Sequence, residues 1–390
     1  MSEAMSLVGD LDHLRKRCLV VGSIGLVVLV VGLFFDAKQF FQSYLVAYLF
    51  VLGPALGSVA LLSLHGLTGG GWGYSIWRVL LAGVRTVPAL LVAFLPLCFG
   101  IQALFHWSHA DAVAHDPVLQ AKSAYLNVPF FFLRAAIYFV LWFGLARVLS
   151  RAAREFELHP DLATQQRLRK LSAAGLLVYV LSMSFAAFDW GMSLEPHWFS
   201  HVYGVKMIIG QVLTTWCVMI LFAHRLAKFE PFRSGTSKLN FHDLGNLTMA
   251  FTLLWAYIVF SEYLIIWSGN LPEETPYYLR RTENGWGAVA LFLIVFHFAV
   301  PFLVLLARQN KRLKQRLVKL AAGLLVLRAV DLLWLIAPAF HTERLWISWM
   351  DVAAFLGLGG LWGWYFLGQL LDGPLQPAPR LVAPIEAEAA

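Results

Sequence analysis

The stretch CLVVGSIGLVVLVVGLFF, residues 18–35, is followed closely by FQSYLVAYLFVLGPALGSVALLSLH, residues 41–65, and neither contains Asp, Glu, Lys or Arg. Apolar runs of this length can cross about 30 Å of hydrocarbon as helices that rise about 1.5 Å per residue. Lipid offers the backbone no hydrogen-bond partners, and a helix satisfies its own N–H and C=O groups. The two runs therefore predict an all-α integral membrane protein.

Eight further apolar runs follow the same pattern, which predicts about ten transmembrane helices in a single polytopic membrane domain over residues 1–390. The predicted spans are 18–35, 41–65, 79–101, 126–149, 170–193, 202–227, 243–268, 284–308, 317–340 and 345–371. Prolines inside these runs should kink the helices, because proline removes a backbone donor and its ring crowds the preceding turn. They are Pro54, Pro88, Pro96, Pro301 and Pro338.

The composition excludes a soluble globular protein. Hydrophobic residues make up 59% of the chain and charged residues only 14%, whereas about 25% of residues are charged in soluble proteins. A chain with so few charges cannot cover its surface with polar groups, so much of that surface must face lipid. The net charge of +7 does not indicate nucleic acid, because the basic residues lie in short clusters between the apolar runs.

These basic clusters predict the orientation in the membrane. When successive spans cross the membrane in opposite directions, 21 of the 30 Lys and Arg residues, Arg380 included, fall on one side of the membrane and five on the other. The remaining four lie inside the spans. Lys and Arg concentrate in cytoplasmic loops. We therefore predict that both termini are cytoplasmic.

No metal centre is predicted. The three cysteines are isolated, and each lies in an apolar run: Cys18, Cys98 and Cys217. Zinc and iron–sulfur sites need clustered Cys or His ligands. A haem bound by two histidines would need a second histidine at the mid-membrane depth of His297. His65 and His224 lie near the inner ends of their helices instead. We therefore expect His297 to be a satisfied core histidine or a member of a proton relay.

Ionisable residues inside the spans are the candidates for function. Burying one near the bilayer centre costs about 2.5–3.5 kcal/mol, so such residues face the bundle interior and often mark ion or substrate pathways. We take eight residues as candidates for a proton path or ligand pocket: Arg134, Asp189, Lys206, Glu262, His297, Arg328, Asp331 and Asp351. None of them is assigned as a certain catalytic residue.

Among these candidates, Asp189, Lys206 and Glu262 are expected to form one polar site in the outer half of the bundle. A short outward loop joins the helices of Asp189 and Lys206, which favours their proximity. The alternative is that these charges form salt bridges that only fix helix packing. That alternative is the stronger one for Arg328 and Asp331, which lie three residues apart on one helix face and can neutralise each other.

Two longer stretches carry a family resemblance. They are SMSFAAFDWGMSLEPHWFSHVYGVK, residues 182–206, and FSEYLIIWSGNLPEETPYY, residues 260–278. Together they resemble the NrfD/PsrC-like quinol-interacting membrane subunits, and in particular the ActF-type second such subunit of alternative complex III. Members of the family often carry Gln at the position of Glu262. The titratable group found here favours a proton-relay role at that position.

The resemblance implies an NrfD-like fold, with two four-helix bundles and flanking helices, in a bacterial inner membrane. It implies a respiratory or photosynthetic complex that oxidises quinol. The expected partners are a sister NrfD-like membrane subunit, an iron–sulfur subunit and multihaem cytochrome subunits, which carry the redox centres. On this chain only quinone or quinol is expected to bind, and the chain is not expected to be catalytic alone.

Two other functions stay open at this stage, a secondary transporter and a purely structural membrane anchor. Transporters often show broken helices at corresponding positions of two repeats, and the prolines here are scattered instead. Two outward loops are expected to contact partner subunits or shape the mouth of a pocket. They are Glu195-Pro196-His197-Trp198 and Pro272-Glu273-Glu274, both short and rich in acidic and proline residues.

Overall fold

The structure is a computed structural model that describes residues 2–235 and 238–375. Arg380, counted above among the basic residues, lies outside the described residues. Over the described ranges the chain contains helices and no strand. The prediction of an all-α, multi-span membrane protein is confirmed.

The longer helices are α1 (Ser2–Phe35), α2 (Ala37–Thr68), α3 (Trp77–Val84), α4 (Val87–Phe99), α5 (Val128–Leu158), α6 (Leu162–Trp190), α7 (Val202–Leu226), α8 (Lys238–Gly269), α9 (Thr275–Thr282), α10 (Trp286–Leu293), α11 (Val300–Leu306), α12 (Lys314–Ile336) and α13 (Trp349–Leu371). A π-helical segment, Ile294–Ala299, joins α10 to α11. Short helical turns occupy the connections: Gly71–Tyr74, Ile101–Leu104, His106–Ser108, Ala110–His115, Pro117–Lys122, Met192–Leu194, Phe232–Gly235, Arg308–Arg312 and Ala337–Ala339.

The third span is bent. In the described ranges nine helices are long and apolar enough to cross a membrane, and the number is ten if α3 and α4, which bend by 41° at their break, are one span. Pro88 lies in the first turn of α4, where its missing N–H costs nothing. The Gly83 carbonyl accepts two hydrogen bonds at the break, from the Thr86 hydroxyl at 2.6 Å and from the Thr86 N–H at 3.0 Å.

The remaining prolines occupy different positions in their helices. Pro301 lies in the first turn of α11, with Val300 between it and the π-helical segment, and Pro338 lies in the short turn after α12. Pro54 and Pro96 lie inside helices that continue past them.

Several helices extend beyond the apolar runs. Helix α1 begins at Ser2 rather than 18, and α5 and α6 leave only three residues of the predicted 150–169 loop between them. Charged side chains can continue a helix into water, whereas the apolar pattern marks only the part in lipid. Asp161 then starts α6 by accepting a hydrogen bond from the Thr164 N–H at 2.8 Å.

The spans pack in two groups of four around α2 and α7. Helices α2, α3–α4, α5 and α6 contact one another, and so do α7, α8, α10–α11 and α12. Helices α2 and α7 join the two groups, while α1 and α13 pair along one flank. The backbones of α1 and α13 approach closely because Gly25 has no Cβ. A Cβ at that position would lie only 2.5 Å from the Gly357 nitrogen.

Candidate functional site

Asp189 forms a buried ion pair with Arg134. Its two carboxylate oxygens accept hydrogen bonds from Arg134 Nε at 2.8 Å and Nη2 at 2.9 Å, and the Tyr138 hydroxyl donates to one of them at 2.7 Å. Asp189 is completely buried. Arg134 also lies over the Tyr125 ring at 3.8 Å, and burial, followed by the charge of Asp189, raises the pKa of Tyr125 to about 12. This bidentate pair fastens α5 to the end of α6.

Lys206 and Glu262 form a second buried ion pair. Lys206 Nζ lies 2.5 Å from Glu262 Oε2, and the side chains are 6% and 2% exposed. The Ser200 hydroxyl donates to Glu262 Oε1 at 2.7 Å, and the Tyr278 hydroxyl donates to Oε2 at 2.9 Å. The Glu262 carboxylate therefore has donors from α7, from α9 and from the loop before α7.

Aromatic rings surround the lysine of this second pair. Lys206 Nζ lies 5.0 Å from the centroid of the Tyr203 ring and 5.3 Å from that of Tyr277. Trp198 stacks on Tyr277 with their centroids 3.6 Å apart. These rings exclude water from the ammonium group and stabilise its charge through their faces.

A network that the sequence reasoning missed lies beside this cage. Glu195 accepts hydrogen bonds from Arg280 at 2.9 Å and from Arg281 at 2.6 Å. Arg281 is 1% exposed, stacks over the Tyr277 ring at 3.5 Å and donates to the Leu335 carbonyl at 2.7 Å. Arg281 is outside the predicted spans and is not among the eight candidate residues. The signal in the sequence that could have indicated its burial is Glu195, an acidic residue in a neighbouring loop.

Of the two loops predicted to face outward, the first contacts the bundle, whereas Pro272 and Glu273 of the second are exposed. Glu195 and Trp198 are buried within this chain. His197 lies 2.5 Å from Asp116 and links its loop to the 101–127 connection. Contact of these loops with partner subunits stays a prediction.

The structure distributes the three expected core residues over two ion pairs. Lys206 and Glu262 meet directly, whereas Asp189 binds an arginine of α5. Tyr203 contacts the surroundings of both pairs, since its hydroxyl lies against Gly191 at the end of α6 and its ring lies beside Lys206.

A large apolar cavity lies beside Tyr278, the residue that donates to Glu262. It has a volume of about 680 Å³ and lies between α8, α9, α10 and α12. Its lining includes Trp255, Phe260, Tyr278, Ala290, Asp331 and Trp334. Tyr257 and Leu291 at its rim are 65% and 62% exposed, so the cavity opens on the lipid-facing side of the bundle.

Tyr278 connects this cavity to the ion pair. Burial, with the charge of Glu262 next, holds the pKa of Tyr278 well above its usual range. The hydroxyl therefore stays protonated and remains a hydrogen-bond donor to Glu262.

His297 lies behind the cavity wall, in the π-helical segment. Its side chain is completely buried, and neither ring nitrogen has a hydrogen-bond partner within the described residues. The ring meets Trp255 edge-on at 4.0 Å between centroids, and the Trp255 indole N–H is also unpaired within the same ranges. π-Helical turns often occur at functional sites, and unpaired buried groups need an explanation.

Arg328 and Asp331 bond to each other on α12, as their spacing predicts. The Arg328 guanidinium lies against Gly210 of α7, where any larger residue would meet it. Asp331 also lines the apolar cavity. The pair therefore lies where α12 packs against α7, with Asp331 on the side of the cavity.

Asp351 has the contacts of a helix cap. It accepts a hydrogen bond from the Ser348 N–H at 2.7 Å, and the Ser348 hydroxyl in turn accepts the Met350 N–H at the start of α13. The Ser43 hydroxyl of α2 donates to Asp351 at 2.6 Å. These contacts start α13 and join it to α2.

Residues 2–235 and 238–375 contain no group of three or more His, Cys, Asp and Glu side chains placed to hold a metal. Comparison with known proteins found no match to a protein-family model and none to a curated protein.

Proposed function

We propose that this chain is a membrane subunit of a quinol-oxidising electron-transfer complex, and that the cavity between α8 and α10 receives the quinol. The observation that carries the proposal is an apolar cavity, open toward lipid, beside a hydrogen-bonded buried carboxylate. The function implied by the family resemblance needs both features in one place.

The dimensions and lining of the cavity suit an isoprenoid quinol. Small-molecule sites usually occupy about 300–1,000 Å³ and are mostly apolar with a few polar groups. At about 680 Å³, this cavity falls within that range. Its exposed rim at Tyr257 and Leu291 would let a lipid-soluble molecule enter sideways from the bilayer.

The polar residues supply a route for protons. Oxidation of a quinol to a quinone releases two protons and two electrons. From the cavity, hydrogen bonds lead through Tyr278 to Glu262 and on to Ser200, which is half-buried in the loop before α7. Lys206 stabilises the charged form of Glu262 and would keep it ready to accept a proton. The electrons would pass to an iron–sulfur or haem centre on a companion subunit.

The other candidate residues take different places in this proposal. Asp331 lines the cavity and His297 lies behind its wall, so both are candidates for a second proton position. The contacts of Arg134 with Asp189, and of Asp351 with its cap, support structural roles in positioning helices.

The surroundings of the chain are also proposed from the resemblance. They are a bacterial inner membrane with both termini in the cytoplasm, a sister NrfD-like subunit, an iron–sulfur subunit and multihaem cytochrome subunits. Co-purification of the native protein with haem- and iron–sulfur-containing subunits would test this part directly. Isolation of the native protein without such subunits would contradict it.

A cavity-filling variant tests the quinol site. Ala290→Phe places a ring in the cavity, whereas Ala136→Phe adds the same ring to the exposed face of α5. We expect the purified chain to bind a short-tail ubiquinone or menaquinone analogue, Ala290→Phe to weaken that binding at least tenfold, and Ala136→Phe to leave it unchanged. Equal affinity of the parent and Ala290→Phe would place any quinone elsewhere. No binding by the parent would favour a structural anchor.

A further inference from the structure

A second cavity lies at the opposite end of α5 from Asp189. It has a volume of about 540 Å³ and is lined by Arg85, Arg147, Arg151 and Arg154. Its apolar walls are formed by Val84, Pro88, Phe143 and Ala146. The cavity is therefore basic at one end and apolar at the other.

Helical spacing brings the arginines together. Residues 147, 151 and 154 are four and three positions apart, so their side chains share one face of α5. Arg85 comes from the break between α3 and α4 and faces the same cavity. The bend in the third span thus contributes the fourth charge.

No carboxylate neutralises these charges in the part of the chain that the structure describes. The acids nearest in sequence are engaged elsewhere, since Glu155 pairs with Arg167 and Glu157 pairs with Arg78. Four neighbouring guanidinium groups repel one another unless an anion lies between them. An anionic ligand would therefore be bound favourably in this cavity.

The apolar end of the cavity continues onto the lipid-facing surface. Val140 and Val148 of α5 are 70% and 42% exposed, and Val92 and Leu95 of α4 are 68% and 51% exposed. A ligand held by the arginines could lay hydrocarbon chains along these two helices. A free anion would leave this apolar surface unused.

We propose that this cavity binds the headgroup of an anionic phospholipid with two phosphates, of the cardiolipin type. Planar guanidinium groups bind phosphate oxygens through paired hydrogen bonds. Basic pockets between membrane helices on the cytoplasmic side are suited to such headgroups. Four arginines match two phosphates better than one, and the acyl chains pack along α4 and α5. The proposal does not depend on the quinol site.

Substitution of the three arginines on α5 tests the site by lipid titration. Each basic group near an anionic lipid surface strengthens binding by a factor of about five. Replacing Arg147, Arg151 and Arg154 together by Gln should therefore weaken cardiolipin binding on the order of 100-fold. The measurement is native mass spectrometry of the purified full chain in detergent, titrated with cardiolipin and, separately, with a phosphatidylglycerol.

Two matched variants separate this site from general charge effects. Triple replacement of the same arginines by Lys keeps the charge and removes only the paired hydrogen bonds, so its cardiolipin affinity should lie between those of the parent and the Gln variant, which also shows that the altered surface still folds. Triple replacement of Arg17, Lys170 and Lys319 by Gln removes equal charge from exposed positions outside the cavity and should leave binding within about twofold.

Three results would overturn the proposal. They are unchanged cardiolipin binding in the Gln variant at the cavity, an equal loss in the control Gln variant, and displacement of cardiolipin by millimolar inorganic phosphate. The last result would indicate a site for free phosphate. Preference for cardiolipin over phosphatidylglycerol, lost only in the cavity variant, would support the two-phosphate headgroup.

Discussion

Replacing Lys206 by Met should destabilise the helix bundle, because it leaves the Glu262 carboxylate in a nearly dry environment without its counter-charge. The two side chains are 6% and 2% exposed. Removing one partner of a buried pair typically costs about 3–5 kcal/mol. The hydrogen bonds from Ser200 and Tyr278 remain and continue to stabilise the carboxylate. We therefore expect a loss of about 3 kcal/mol, at the lower end of that range.

The double variant Lys206→Met/Glu262→Gln separates the ion pair from simple packing. With both charges removed, the uncompensated charge disappears, and the loss should shrink to about 1 kcal/mol because the amide can still accept from one hydroxyl. The coupling between the two positions should then be at least about 2 kcal/mol. Lys319→Met, at an exposed position, should change stability by less than about 0.5 kcal/mol.

The assay is unfolding of the purified chain in mixed micelles with an increasing fraction of a denaturing detergent, followed by helix content. The free energy of unfolding is compared among the parent, both single variants, the double variant and the control. If the losses in the two single variants simply add in the double variant, the ion pair carries no coupling energy and the reasoning is refuted.

Three further predictions concern the Asp189 ion pair, the contact between α1 and α13, and the orientation in the membrane. Asp189→Asn should lower the free energy of unfolding by about 3 kcal/mol or more, because it leaves a buried arginine unneutralised; stability equal to the parent would refute this. Gly357→Val should separate α1 from α13, because a side chain there meets the α1 backbone, and protease resistance of α1 should fall; unchanged resistance would contradict it. Reporter fusions should be periplasmic at 102–125 and cytoplasmic at 159–161, and one reversed reporter would break the orientation.

The spans could be predicted from the sequence because hydrocarbon thickness and backbone hydrogen bonding act on each apolar run by itself. The apolar run 79–101 coincides with α3 and α4, and Pro88 lies in the first turn after the break between them. The ends were less accurate, because charged continuations such as 150–158 of α5 are helical without being apolar. Residues that face water carry little information about where a helix stops unless a cap such as Asp161 is present.

Pairing across helices was only partly predictable. The i,i+3 spacing of Arg328 and Asp331 determines their contact, because both lie on one helix. Partners on different helices depend on how each helix is rotated, which the sequence leaves open. Asp189 therefore could not be assigned between Lys206 and Arg134, and the planar, bidentate arginine is its partner in the fold.

The contribution of loops to the site was the least predictable part. Arg281 lies in a segment with no apolar pattern, yet it is buried and contacts both Glu195 and α12. The cavity beside Tyr278 arises from the packing of four separate helices, and no single stretch of sequence encodes it.

Photo-crosslinking tests most directly whether the cavity lined by Tyr278 holds a quinol. A photoreactive quinone analogue is added to the purified chain or its native complex, and the labelled peptides are identified by mass spectrometry. Quinol binding in this cavity should place labels on 253–263 of α8 and on 287–298 of α10 and its π-helical segment. Unlabelled quinone should compete with these labels, and Ala290→Phe should abolish them. Competed labelling confined to other helices, or equal labelling of the parent and Ala290→Phe, would contradict it.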